Sequence, residues 1–164
     1  MKSLFATFMW AAVAMLAGCA QIKHVDPVAP QISGTVTRAG VPVAGVHVQL
    51  VEAFDDSGAP LPGAEKDEVL TDAQGRFTVG PLYRKARRVD LHTVPWGLRL
   101  SVDDKTWHAG WLSDPTLLGS VPKAPVSAMC DLAVESKTSA IAGDSAAMGK
   151  GPCILQLIQK TKKR

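Results

Sequence analysis

The chain has 164 residues and a formal net charge of +3, with 18 lysines and arginines against 15 aspartates and glutamates. That is one domain's worth of polypeptide, and so small a cationic excess excludes a general nucleic-acid binder, which needs a broad basic surface to displace counterions. The 14 glycines and 11 prolines are spread along it and leave no long amphipathic stretch, which excludes a helical bundle.

The first element is an apolar run. Lys2 gives a positive start, and residues 4–17 read Leu-Phe-Ala-Thr-Phe-Met-Trp-Ala-Ala-Val-Ala-Met-Leu-Ala. The run is too short for a spanning helix, which needs roughly 20 residues. It suits the apolar core of a secretory signal, with small residues before a cleavage point. Leu16-Ala17-Gly18-Cys19 resembles the lipobox of bacterial lipoproteins and matches it at all four positions. The resemblance implies that the Cys19 thiol receives a diacylglyceryl group, that residues 1–18 are removed, and that the new amino terminus is acylated in turn. One acyl chain binds a membrane only marginally, but at about 0.8 kcal/mol per buried CH₂ two or three chains on one residue make attachment effectively permanent. Residue 20 is Ala rather than Asp. By the sorting rule of Gram-negative lipoproteins, that implies the outer membrane, on its periplasmic or surface face.

Residues 19–30 hold two prolines without periodicity and read as the lipidated N-terminus and linker. Removing residues 1–18 leaves 146 of the 164 and takes the charge from +3 to +2 by loss of Lys2. Residues 31–164 are expected to form a single β domain, because short apolar alternations recur between glycines and prolines. Ile32, Gly34 and Val36 share one strand face. Val46, Val48 and Leu50 share another, with His47 and Gln49 opposite. Trp96, Leu98, Leu100 and Val102 line one side of the clearest strand, with Arg99, Ser101 and Asp103 on the other. Ala128, Cys130, Leu132 and Val134 fall together, and Cys153 opens a last apolar strand. Residues 53–67, 112–126 and 135–152 are expected as long loops, the last a candidate for disorder because it mixes helix formers with glycines.

One hairpin has an expected register. A two-residue turn at Asp104-Lys105 would pair Asp103 with Thr106. It would set Val102 opposite Trp107, Leu100 opposite Ala109 and Leu98 opposite Trp111, all on one face. Trp107 and Trp111 are thereby expected in the core, with Trp96 beside them. In an exported chain, Cys130 and Cys153, whose spacing matches no metal site, are expected to form a disulfide.

The stretch Ile-Ser-Gly-Thr-Val-Thr-Arg-Ala-Gly-Val-Pro-Val-Ala-Gly-Val-His-Val, followed by Thr-Asp-Ala-Gln-Gly-Arg-Phe, resembles the carboxypeptidase regulatory-like domain. The matching residues are Gly34, Gly40, Pro42, Val43, Gly45, Val46, Val48, Thr71, Asp72, Gly75 and Phe77. They cover residues 31–80, about a third of the mature chain. The resemblance implies a prealbumin-like or immunoglobulin-like β-sandwich of about seven to eight strands. Members of that family mostly carry no chemistry in this domain, so it implies fold more than function.

Several stretches imitate sites. Residues 143–151, Gly-Asp-Ser-Ala-Ala-Met-Gly-Lys-Gly, have five residues between Gly143 and Gly149. A phosphate-binding loop needs four, and a Ser or Thr after its lysine. Ser145 lacks a nucleophile elbow. His24, His47, His92 and His108 form no paired-ligand motif, and Asp55-Asp56 lacks the acidic ladder of a calcium loop. Related sandwiches include intradiol dioxygenases, whose iron needs two tyrosines, but Tyr83 is the only one here. Hydroxyisourate hydrolases end in Tyr-Arg-Gly-Ser, and this chain ends Gln-Lys-Thr-Lys-Lys-Arg. No catalytic residue, cofactor or metal is therefore expected. The basic segment Tyr-Arg-Lys-Ala-Arg-Arg at residues 83–88 reads as a solvated loop or guarded sheet edge, the alternative being contact with anionic lipid or envelope polysaccharide. The sequence as a whole points to a lipid-anchored, non-catalytic interaction module of the cell envelope. It would bind the membrane through Cys19 and an envelope protein or polysaccharide through its domain. A small-ligand or glycan binder using exposed aromatic residues is the second reading, and a hydrolase or metal enzyme a distant third.

Overall fold

The computed structural model describes residues 27–83, 95–114 and 121–159. Among them proline and glycine cut the chain into short extended pieces, and there is no helix. In chain order the strands are β1 (Pro27–Ala29), β2 (Ile32–Arg38), β3 (Val41–Pro42), β4 (His47–Glu52), β5 (Lys66–Leu70), β6 (Arg76–Val79), β7 (Leu82–Tyr83), β8 (Trp96–Ser101), β9 (His108–Ser113), β10 (Val126–Asp131), β11 (Lys137–Ile141), β12 (Asp144–Gly151) and β13 (Cys153–Leu157). The fold is the expected all-β sandwich, with thirteen strand segments among the described residues in place of seven or eight. Three of them, β1, β3 and β7, are pieces of two or three residues. Two more, β11 and β12, form where a loop was expected.

Two sheets face each other. The first runs β13-β10-β2, and the outer edge of β2 is shared by β6 and β3. The second runs β11-β12-β9-β8-β4-β5, and β1 pairs with β7 in a small third sheet. Their inward residues make one core, with Ile32, Val36, Val126 and Leu155 of the first sheet and Val48, Leu50, Leu98 and Leu100 of the second all at 0–1% exposure. Each such side chain contributes roughly 1.5–3 kcal/mol by leaving water. The apolar alternation predicted for β2, β4 and β8 is therefore the core-facing set. In β10 it holds for Ala128 and Cys130, while Leu132 and Val134 lie past the strand's end and Val134 is exposed.

Strand β10 joins β2 in parallel, Val126 beside Ile32 through Asp131 beside Thr37. Gly34 faces Ala128 in that ladder, and a Cβ there would sit 2.1 Å from the Ala128 carbonyl oxygen, so only glycine allows the approach. The motif at Thr71–Phe77 ties β2 to β4. Thr71 Oγ1 accepts from Val46 N (2.9 Å) and donates to the Val43 carbonyl (2.8 Å). Asp72 Oδ1 accepts from Gln74 N and Arg76 N, and Val36 N donates to the Gly75 carbonyl. Phe77 then enters the core opposite Gly34.

On its other edge β10 pairs antiparallel with β13. There Cys130 is opposite Cys153 with Cα atoms 4.0 Å apart, and the two form the expected disulfide. The residues between them are not a disordered loop. They form the β11–β12 hairpin, which leaves the first sheet to join β9 of the second. Its glycines and alanines, poor strand formers by themselves, are the residues the site requires. A Cβ on Gly149 would lie 2.4 Å from the Trp111 ring, and one on Gly151 would lie 1.9 Å from the Gly110 carbonyl.

The β8–β9 hairpin differs from the expected register. Leu98 does face Trp111, but Arg99 faces Ala109 and Leu100 faces His108. Gly110 is skipped in the pairing, a bulge that turns every residue before it to the opposite face. The connection also spans more than two residues. Asp103 closes it, accepting from Lys105 N, Thr106 N and the Ser101 and Thr106 hydroxyls. Val102 is consequently 51% exposed, and Trp107 lies outside the core cluster, half-buried on the outer side of the sheet. Trp111 and Trp96 are buried as expected, with ring centroids 4.9 Å apart.

The bulge predicts unequal costs for two tryptophans. Trp111→Ala should lose about 3–5 kcal/mol, as aromatic truncations in cores do. Trp107→Ala should lose only ~1 kcal/mol, the value of an exposed cation–π contact. Denaturant midpoints of the two variants check this, and equal losses would place Trp107 back in the core.

Candidate functional site

The outward face of the second sheet carries a polar cluster that the strand register assembles. Gln49 of β4 stands opposite Glu68 of β5 on one side and Arg99 of β8 on the other. Because side chains alternate, His47 shares this face with Gln49, and the bulge brings Trp107 onto it. At one end the face is covered. Val51 is fully buried there, and Phe54 and Leu112 both approach Gly97. At the other end it is open.

The five side chains form a closed set. His47 Nδ1 donates to Glu68 Oε1 (2.9 Å), and Gln49 Nε2 donates to Glu68 Oε2 (2.8 Å). Arg99 Nη1 donates to Gln49 Oε1 (3.1 Å), and the guanidinium lies 5.1 Å from the centre of the Trp107 ring. The His47 ring meets Trp107 edge-on at 6.2 Å, which completes the circuit. Gln49 is buried and uses both ends of its amide, so it is fixed from both sides. The Glu68 carboxyl is held below its ordinary range, chiefly by the His47 hydrogen bond, which outweighs the opposing effect of burial, with the Gln49 hydrogen bond adding less. Burial lowers the Arg99 guanidinium pKa, and the Asp55 carboxylate opposes that shift. The arrangement offers a rigid patch of aromatic, cationic and amide groups. It could hold a polar ligand with a flat apolar face, such as a sugar ring, stacked against Trp107 and hydrogen-bonded by Arg99.

The residues singled out in the sequence fall in separate places. Cys19, His24 and His92 lie outside the described residues, as do Arg84, Lys85, Arg87 and Arg88. Tyr83 ends β7 and is exposed. Cys130 and Cys153 are brought together by β10 and β13. Asp55 does not present a calcium ligand set, since its Oδ1 accepts from Ser57 N, Ser57 Oγ and Ala59 N within its own turn. Among the described residues no three His, Cys, Asp or Glu side chains converge as a metal site. Ser145 lies exposed in strand β12 rather than in a loop.

The cluster around Trp107 was missed by the sequence reading. The outward direction of His47, Gln49 and Arg99 was legible from alternation. That β4 and β8 are neighbours was not, nor was the bulge that adds Trp107. No family model matches the chain, and no curated protein or solved structure matches it.

The turns give a pH prediction. The N–H groups of Thr106 and Lys105, with the Thr106 and Ser101 hydroxyls, lower Asp103 from 3.8 to about 2. Asp55, Glu68 and Asp131 are also lowered by their hydrogen bonds. A carboxyl whose folded pKa lies below its unfolded one stabilises the fold above the unfolded value and stops doing so as pH falls through the folded value. Melting temperature should therefore hold above about pH 5, where unfolded carboxyls are ionised, and fall as the pH drops toward 2. A carboxyl-detected NMR titration should place the Asp103 midpoint near 2, and an ordinary midpoint would contradict the turn geometry.

Proposed function

We propose that the protein is a lipid-anchored component of the bacterial cell envelope, held at the outer membrane through Cys19, whose β-sandwich is a non-catalytic binding module. The observation that carries the reading is Leu16-Ala17-Gly18-Cys19 at the end of an apolar run that follows Lys2. A linker without periodicity separates that cysteine from the sandwich. The Cys130–Cys153 bond suits an oxidising compartment.

A second, finer reading is that the module binds a glycan or a small polar ligand on the Trp107 face. It is favoured by one feature: a half-buried tryptophan standing outside the core, beside Arg99 and His47. A binding role suits the cluster chemically, because its carboxylate and amide hold one another in place and fix the polar surface beside Trp107.

Cys19→Ser tests the anchor. Cells given labelled palmitate should label the native chain and leave the variant unlabelled, and label entering the variant refutes the reading. Trp107→Ala tests the ligand face. The variant should stay folded and lose retention on envelope polysaccharide, and unchanged retention excludes that face.

A further inference from the structure

We propose that the end of the sandwich where the chain enters is a membrane-contacting surface that sets the domain's orientation on the bilayer. The proposal rests on the anchoring of Cys19. Pro27 stands eight residues after Cys19. At about 3.3–3.6 Å per residue, the tether reaches roughly 29 Å at most. Strand β2, which runs the length of the first sheet, has seven residues and covers about 20 Å. The tether is thus as long as the domain and does not by itself choose which surface meets the lipid.

The surface around the entry point makes that choice. Pro27 pairs with Tyr83 in the antiparallel β1–β7 ladder, so the chain arrives from Cys19 and departs after Tyr83 at one place. Val126 N donates to the Gln31 carbonyl, and Ile158 N donates to the Pro125 carbonyl, which brings the last strand's exit to the same end. Two adjoining hollows lie there. One of about 170 Å³ is lined by Pro27, Pro81, Tyr83 and Pro122, and the other, of about 570 Å³, by Pro125, Leu157 and Ile158. Lys123 borders both. Tyr83 is 51% and Ile158 42% exposed. An exposed tyrosine, an exposed isoleucine, prolines and a lysine are the mixture that settles at the headgroup level, with the apolar bodies inward and the cation on lipid phosphate.

The sequence that continues from this end has matching charge. Tyr83 is followed by Arg84, Lys85, Ala86, Arg87 and Arg88, and Gln159 by Lys160, Thr161, Lys162, Lys163 and Arg164. Eight of the 18 lysines and arginines thus lie in two runs that follow Tyr83 and Gln159 in the sequence and contain no acid. Such runs favour an anionic bilayer. Once Cys19 is anchored, docking is intramolecular, so a surface too weak to bind vesicles alone suffices. The open half of the Trp107 face lies toward the opposite end. There His47 is paired with Ser101, and Leu100 and Val102 share a hollow with Arg38, the far end of β2. Docking by the entry surface holds that face away from the membrane.

The test uses the full chain purified from cell membranes and placed in vesicles of phosphatidylethanolamine and phosphatidylglycerol, labelled with a water-soluble amine reagent and read by peptide mass. Lys123 should label several-fold less than the exposed lysines Lys105 and Lys137 of the same molecules. The double substitution Tyr83→Ser with Ile158→Ser, at two exposed positions, should restore Lys123 to their level. Equal labelling of the three lysines in the native chain overturns the proposal, as does protection that survives the double substitution. The mass of the N-terminal peptide is read in the same digest. If Cys19 carries no acyl group, the anchor reading fails and takes the docking with it. If Cys19 is acylated and Lys123 is unprotected, the docking alone is wrong.

Discussion

Strand β10 is gripped on both edges, and the architecture follows from that. Six residue pairs hold it parallel to β2, which precedes it by more than ninety residues, and five pairs hold it antiparallel to β13. The parallel contact is costly to form, because a long chain must be closed before any of its hydrogen bonds exist. The Cys130–Cys153 bond makes the other contact covalent. The chain it encloses crosses to the second sheet as the β11–β12 hairpin and returns to the first as β13. One covalent loop therefore spans both layers, and at 23 residues its closure contributes about 3–4 kcal/mol on the loop-entropy model.

How much of this was legible depended on how local the deciding physics was. Alternation in β2, β4 and β8 identified the buried residues, because a strand with one face on the core must repeat every second position. The disulfide followed from the export that the N-terminal run leads one to expect and from the absence of metal spacing. Trp107 was misplaced because the face of β9 depends on the pairing skipped at Gly110. A bulge is not written in periodicity, although a glycine between two apolar residues is its usual mark. Residues 135–152 were misplaced for a related reason. Their small side chains look like loop, yet Gly149 and Gly151 are small because Trp111 and Gly110 lie against them. The parallel β2–β10 ladder had no local signature at all, and Gly34 explains itself only once Ala128 is known to be its neighbour.

Trp96, Trp107 and Trp111 show how much one register decides. Trp96 and Trp111 fill the space between the sheets. Trp107, four residues before Trp111, belongs to the outer surface, where Arg99 and His47 receive it. In the unbulged hairpin, the cluster of Glu68, Gln49, Arg99 and His47 would have no aromatic member. The bulge thus gives the proposed binding face its tryptophan. The same face is stiff, because Gln49 is buried and bonded on both sides. A stiff polar patch at one end of the domain has the form of a recognition surface, with little entropy left to lose on binding.

Amide hydrogen exchange, with the Cys130–Cys153 bond intact and then reduced, tests the grip on β10 most directly. Reduction should speed exchange first in β13 and in the β11–β12 hairpin, while β4 and β8, central in the second sheet, keep their protection longest. If β13 and the hairpin stay as protected after reduction as before, the disulfide is not what holds the two layers together at that edge.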